Sequence, residues 1–330
     1  MKAIVYHRYG SPDVLEIAEV PKPAPKDHEV LIRIYATTVT TGDWRARSLE
    51  MPTGFGALGR LFFGLLGPRK PILGTELSGI IDEVGKAVTL FEPGDEVFAF
   101  TGAKYGCHAE YRTMPEDGLM ARRPSNLSFG EAAALSFGGT TALSFLRDKG
   151  AVRSGDKVLI VGASGGVGTA AVQIAKHFGA TVTGVCSTAN VDLVRSIGAD
   201  HVIDYTQEDF ALKGEAYNII LDTTGTTSFA RCERMLKPGG RLLIVLGSLS
   251  QTLGLGRPPK ASGKTVIAGV ASERTEDMTY LAKIAEAGEF TPVVDRSYPL
   301  DSAAEAHAYV DTGRKRGNVV LTVRHHQQAR

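Results

Sequence analysis

The sequence predicts an α/β protein with a doubly wound parallel sheet, joined to a separate β-rich part. From Lys157 onward, short β-prone runs alternate with segments of helical period, the pattern of parallel strands with crossover helices. The strand candidates are Lys157 to Val161, Thr181 to Cys186, His201 to Ile203, Asn218 to Asp222, Arg241 to Leu246 and Thr265 to Val270. Between the first two, Val167, Ala170, Ala171, Ile174, Ala175 and Phe178 recur at i, i+3, i+4, i+7, i+8 and i+11, a single apolar helix face. At 330 residues, the chain is long enough for a second domain.

Each element has a local cause. Lys2 to Tyr6 and Glu29 to Ala36 are early strands, the latter with Val30, Ile32, Ile34 and Ala36 on one face. Pro21, Pro23 and Pro25 exclude a helix between them. Gly79 to Val84 and Glu96 to Phe100 are further strand candidates. Gly54 to Pro71 reads as a long loop bordering a functional site, and Ser250 to Gly263 as a second Gly/Pro-rich cover. Ser128 with Glu131 three residues on forms a capping box that opens an Ala-rich helix. Gly179 sits where a helix C-cap belongs, and a helix from Val191 to Ile197 stops at Gly198. After Phe290 come a helix capped by Asp301 or Ser302 and a strand from Asn318 to Val323; this tail is expected to pack back on the first domain. The terminal run from His325 to Gln328 is expected to fray.

Composition narrows the function. A net charge of +1 offers no basic field for nucleic acid. Cys107, Cys186 and Cys232 are too few and too scattered for a disulfide framework, which fits a reducing compartment. Met1 to Gly10 does not read as a signal peptide, and Leu58 to Leu66 is too short to span a bilayer. The expected address is the cytoplasm, with no membrane partner.

The most informative segment is Gly162-Ala163-Ser164-Gly165-Gly166-Val167-Gly168, between the first strand of the alternating region and the amphipathic helix. A dinucleotide-binding fingerprint needs a tight turn, a glycine beside the pyrophosphate and a glycine at the helix–strand contact; Ala163, Gly165 and Gly168 hold those places. Free backbone N–H groups and the helix dipole would then hold the pyrophosphate. The second strand ends in Ser187-Thr188-Ala189-Asn190, with no acid for a ribose diol. Ser187, Thr188 and Asn190 can donate to a 2′-phosphate instead, which favours NADP(H); they can also cap the helix that starts near Asn190.

Gly10-Ser11-Pro12-Asp13-Val14-Leu15, Gly74-Thr75-Glu76-Leu77-Ser78-Gly79, Val84-Gly85, Pro93-Gly94-Asp95-Glu96-Val97 and the Gly-rich turn occur in an order that resembles the medium-chain dehydrogenase/reductase family, in its quinone oxidoreductase or zeta-crystallin-like branch. The resemblance implies a GroES-like β-barrel catalytic domain over 1–124 and 290–330 and a Rossmann domain over 125–289, with a cleft between them. It maps pyrophosphate binding to Ser164, Gly165, Gly166 and Val167, and the adenosine end to Ser187, Thr188, Asn190 and Tyr205. Val270, Ala271 and Ser272 would pass near the nicotinamide. The lysine that NADP-using relatives often carry near Asn190 is absent, so Arg195 or Lys213 would supply the charge.

Zinc members of the family have ligands at positions that correspond to Thr40 or Thr41, to Thr75 and to the Leu135–Ser136 region, and hydroxyls replace thiolate and imidazole poorly. No metal is expected. Without a Lewis acid, hydride transfer suits an electron-poor quinone or α,β-unsaturated carbonyl. Thr40 and Thr41 are candidates to bind the substrate oxygen, and Trp44 and Tyr105 to form an apolar wall. Asp43 reads as a structural acceptor. Cys107 beside His108 is set aside as a nucleophile pair, because neighbours on a strand face opposite ways. Two readings stay open beside the quinone reductase: an enal or enone reductase, and a non-catalytic NADPH-binding relative. A homodimer is expected.

Overall fold

Six parallel strands in the order β10-β9-β8-β11-β12-β13 form one sheet: β8 (Lys157–Val161), β9 (Thr181–Cys186), β10 (His201–Asp204), β11 (Tyr217–Asp222), β12 (Leu236–Ile244) and β13 (Thr265–Ala268). Numbering follows the whole chain. The structure, a computed structural model, describes residues 1–212, 214–254 and 262–325. Lys213, residues 255–261 of the expected second cover and the run from His326 lie outside them. Two compact units result: Met1–Met51 with Gly56–Phe137 and Arg274–Arg330, and Pro52–Phe55 with Gly138–Glu273.

In the second unit, the order steps outward from β8 in both directions, so the crevice at the strand ends opens between β8 and β11. Both faces are buried: Leu159, Val185, Ile220 and Leu242 belong to one apolar cluster with Phe210, Tyr217 and Met235, and Val158, Ile160, Val182, Ile219, Leu221 and Leu243 are fully buried on the other face. Helix α5 (Gly166–His177) crosses from β8 to β9 and buries Ala170, Ala171, Ile174 and Ala175. Its end is set by Gly179, at φ 77°. Helix α6 (Val191–Ser196) follows β9 and gives way to Gly198, at φ 103°. The short helices α7 (Phe229–Cys232) and α8 (Leu249–Thr252) follow β11 and β12. Strand β12 starts before the expected Arg241, because Lys237 to Gly240 bulge out between the Tyr217–Leu236 and Ile219–Arg241 pairs.

The first unit holds a two-stranded sheet, β1 (Lys2–Val5) with β2 (Glu16–Glu19), and a larger sheet in the order β14-β15-β3-β4-β5-β7, with β6 also on β3. Its strands are β3 (Glu29–Thr38), β4 (Glu76–Val84), β5 (Glu96–Phe100), β6 (Tyr111–Pro115), β7 (Met120–Arg122), β14 (Val294–Pro299) and β15 (Asn318–Thr322). Among the described residues the order does not close on itself, so the implied barrel is an open sheet here. β15 pairs with β3. Helix α9 (Thr275–Glu286) packs on β7, and α10 (Ala303–Asp311) on β14 and β15.

Three expectations change. Ala36 leaves the face of Val30, Ile32 and Ile34: a bulge between Ile34 and Ala36 turns it toward Ala133 and Val320. Gly54 to Pro71 is not all loop, since α2 (Gly56–Phe63) lies within it. The tail carries a second strand, β14, whose polar sequence gave no alternation. Before α2, α1 (Thr41–Ser48) follows β3. The Ser128–Glu131 box does cap a helix, but α3 (Phe129–Ala133) is short and is followed by α4 (Ser136–Leu143) and a π-helical turn over Ser144–Lys149.

Candidate active site and cofactor site

The turn after β8 has the geometry of a phosphate cradle. Gly162 adopts φ 81°, so the tight turn falls on Gly162 rather than on Ala163, the place assigned from the sequence. Ala163 is fully buried, and its methyl fits because β9 offers Gly184 opposite: a Cβ there would lie 3.0 Å from it. At Gly168 a Cβ would meet the Gly162 carbonyl oxygen at 2.0 Å, which is the helix–strand contact the fingerprint needs. Gly165 is the N-cap of α5, and no side chain caps it. The N–H groups of Gly166, Val167 and Gly168 therefore have no partner within the helix and face an incoming anion with the helix dipole. On the other side of the crevice, Thr223 donates to the Val161 oxygen at 2.9 Å. Buried Asp222 accepts from the N–H groups of Thr224, Gly225 and Thr227, fixing the loop after β11.

At the end of β9, Asn190 does not cap α6. Its Nδ2 donates to Ser164 Oγ at 3.1 Å and to Ser187 Oγ at 3.2 Å, while its Oδ1 is buried without a partner. The arrangement ties the phosphate turn to the adenosine-end residues and leaves a polar atom for a ligand to satisfy. Thr188 Oγ1 donates to Asp204 Oδ2 at 2.5 Å and pairs with Thr206 at 2.8 Å. Sequence reasoning found no acid here because Asp204 belongs to the neighbouring strand, where it pairs in register with Cys186. The hydrogen bond from Thr188, then those from Thr206, hold the Asp204 carboxyl below its ordinary value, so it stays charged. Tyr205 follows it and is exposed. Arg195 lies in an exposed pair with Asp192 at 3.7 Å. Further along, the Ser272 N–H donates to Ser144 Oγ at 2.9 Å and Lys149 to the Val270 oxygen, which pins Val270, Ala271 and Ser272 to the π-helical turn.

The candidate catalytic residues lie in the first unit. Thr40 is the N-cap of α1. Its hydroxyl donates to Asp43 Oδ2 at 2.6 Å and accepts from the Asp43 N–H at 3.2 Å, so it has no proton left for a substrate. Asp43 also accepts from the Gly74 N–H at 2.8 Å and is the structural acceptor expected. Thr41, by contrast, keeps a hydroxyl with no hydrogen bond among the described residues. Trp44 packs at the margin of the sheet's core, whereas Tyr105 is buried with Tyr6, Leu73 and Phe63. The Tyr105 hydroxyl has no hydrogen bond among the described residues, and burial drives its pKa upward. Cys107 and His108 are not on a strand. Burial excludes them as a nucleophile pair instead: the Cys107 thiol is pushed up to about 12, and His108 Nε2 is bonded to the Thr38 oxygen at 2.9 Å.

At Thr75 and Glu76, hydroxyls stand beside one buried carboxyl. Thr75 Oγ1 is buried and unpartnered. Glu76 is fully buried and accepts from Thr38 Oγ1 and the Phe137 N–H, each at 2.5 Å. No group of three metal-ligating side chains exists among the described residues. Burial raises the Glu76 carboxyl from its ordinary 4.5 to about 7 despite those bonds, and burial lowers nearby Lys315 to about 8. Neither residue was singled out from the sequence. A carboxyl whose pKa is raised by folding stabilises the native state below the unfolded value, and that contribution is lost as pH rises from about 4.5 to about 7. Glu76→Gln should therefore gain stability relative to the parent across that window, by on the order of 2–3 kcal/mol. Parallel melting curves for the two proteins from pH 5 to 7.5 would show that the carboxyl is not raised.

A parallel doubly wound sheet with a glycine cradle at its switch point defines a dinucleotide-binding domain, and the relatives of the chain are oxidoreductases. The chain belongs to the medium-chain dehydrogenase/reductase family, in the quinone oxidoreductase branch. Residues 26–124 match the alcohol dehydrogenase GroES-like domain, and residues 197–321 a zinc-binding dehydrogenase domain. The chain is 34% identical to the 2-methylene-furan-3-one reductase of Solanum lycopersicum, over 97% of this chain and 79% of that one. It is 31% identical, with the same coverage, to the chloroplastic NADPH-dependent alkenal/one oxidoreductase of Arabidopsis thaliana. The solved quinone oxidoreductase of Coxiella burnetii superposes with a TM-score of 0.86 at 29% identity, over 98% of this chain and 99% of that one. No helix among the described residues is long and apolar enough to cross a membrane.

Proposed function

We propose that the protein is a zinc-independent reductase that transfers hydride from NADPH to a quinone or an α,β-unsaturated carbonyl. The observation that carries this reading is the unpartnered Thr75 hydroxyl beside buried Glu76, with hydroxyls again at Thr40 and Thr41, where a zinc enzyme needs imidazole and thiolate. The relatives named for alkenal/one and quinone reduction support the acceptor class.

The cofactor, when bound, supplies the hydride. The chain's residues bind and orient. Ser164, Gly165, Gly166 and Val167 hold the pyrophosphate, Ser187 and Asn190 the adenosine end with Tyr205 beside it, and the pinned Val270–Ser272 segment the nicotinamide end. Among the catalytic candidates, Thr41 and Tyr105 retain hydroxyls able to donate to the acceptor oxygen as charge develops there. Thr40 instead fixes the start of α1. The proton that completes the reduction comes from solvent or from one of these hydroxyls. A homodimer in the cytoplasm remains part of the proposal.

Preference for NADPH rests on the absence of an acid at the end of β9, and Asp204 tempers it. Its charge, one hydrogen bond from Thr188, opposes a 2′-phosphate held there. In an assay of NADPH and NADH oxidation with a quinone and an enone, turnover should survive a chelator and prefer NADPH. Asp204→Asn should raise the NADPH-to-NADH ratio of kcat/KM by about three- to tenfold. Loss of turnover to the chelator would overturn the zinc-independent reading. An unchanged ratio would place Asp204 away from the bound cofactor.

A further inference from the structure

Helix α2 carries its apolar stripe on the outside. Gly59 and Phe63 face inward: a Cβ at Gly59 would lie 2.6 Å from Met51 Cγ, and the Phe63 ring centre lies 6.2 Å from that of Tyr105. The Tyr9 hydroxyl, donating to the Gly64 oxygen at 2.9 Å, ties down the end of the helix. On the opposite side, Leu58, Leu61 and Phe62, spaced i, i+3 and i+4, are each more than half exposed, as are Leu65 and Leu66 in the turn that follows. A helix ordinarily buries such a stripe, and a contiguous exposed patch of this kind marks an interaction surface. Arg60, Arg69 and Lys70 border it, all exposed, and residues 51–75 contain no acid.

We propose that this face rests on an anionic lipid surface, with α2 lying in the plane of the headgroups. The apolar side chains would enter the acyl boundary and the three cations would meet lipid phosphates, the two terms that bind an interfacial helix. The charges choose this occupant over a second copy of the chain. A two-fold contact through the same patch would set each cation cluster against its like, with no acid in the segment to offset them. Leu58 to Leu66, with Arg60 within it, is too short to span a bilayer but long enough to lie on one.

The test is co-sedimentation of the full chain with phosphatidylcholine vesicles, with and without phosphatidylglycerol, at low and high salt. The protein should pellet with the anionic vesicles and be partly released by salt. Phe62→Asp should weaken partitioning by about tenfold or more, and Arg69→Gln with Lys70→Gln should abolish the preference for phosphatidylglycerol. Unchanged melting temperatures would show that the variants fold. Failure to pellet with any vesicle, or equal pelleting of Phe62→Asp, would overturn the proposal. A mass by light scattering that halves in Phe62→Asp, with no vesicle binding by the parent, would assign the face to a second copy.

Discussion

Gly165→Ala and Gly168→Ala should separate binding from folding within one turn. At Gly165 the nearest atom to an added Cβ is the Gly162 oxygen at 3.6 Å, an ordinary contact, and φ is −80°. The free protein should then keep its stability to within about 0.5 kcal/mol. The pyrophosphate, however, must approach this backbone closely, so the methyl should weaken NADPH binding by about tenfold or more. At Gly168 the new Cβ meets the Gly162 oxygen at 2.0 Å and Ala163 backbone atoms at 2.8 Å. Neither can yield as a side-chain tip can, so the turn must deform. That substitution should cost about 3 kcal/mol or more in stability, at the upper end for overpacking, as well as the cofactor site. Melting curves and NADPH fluorescence titrations separate the two outcomes. Undiminished NADPH affinity in Gly165→Ala would show that the dinucleotide does not lie against this turn.

The second large effect lies far from the cofactor. Arg47, on α1, is fully buried. Its Nη2 donates to both carboxylate oxygens of Asp311 at 2.5 and 2.6 Å, its Nη1 to the Gly10 oxygen at 2.5 Å, and its Nε to His307 Nδ1 at 3.3 Å. One guanidinium thus joins the N-terminal loop, α1 and α10. Burial first, then the His108 ring and the Arg47 charge, hold His307 well below its ordinary pKa, so it is neutral and able to accept from Arg47. Arg47→Ala removes the donor and leaves the Asp311 charge and the Gly10 carbonyl without it, at a cost of about 3 to 5 kcal/mol. Arg47→Lys should recover only a small part, because one ammonium cannot serve three directions. Denaturant midpoints measure both. A loss below about 1 kcal/mol for Arg47→Ala would mean that water replaces the guanidinium freely.

The sequence by itself determined what depends on neighbours along the chain. The six β-strands, the amphipathic helix after the first of them, the Ser128–Glu131 cap and the glycine cradle were all legible, because periodicity, capping and positive φ are set within a few residues. Even there, the tight turn moved by one residue, from Ala163 to Gly162, since only coordinates show which carbon bears the positive φ. Tertiary structure decided everything that depends on register and on distant partners. Asp204 comes beside Thr188 through the pairing of β10 with β9, and Arg47 meets Asp311 across 264 residues of chain. The Ile34–Ala36 bulge turned Ala36 to the other face of β3. Thr40 and Thr41 look alike in sequence, yet the cap bond to Asp43 occupies one hydroxyl and leaves the other free. The stripe on α2 reads from sequence as a face to bury; only packing at Gly59 and Phe63 showed that it points outward. Local pattern specifies which residues can share a face, but which face is covered is settled only when the elements meet.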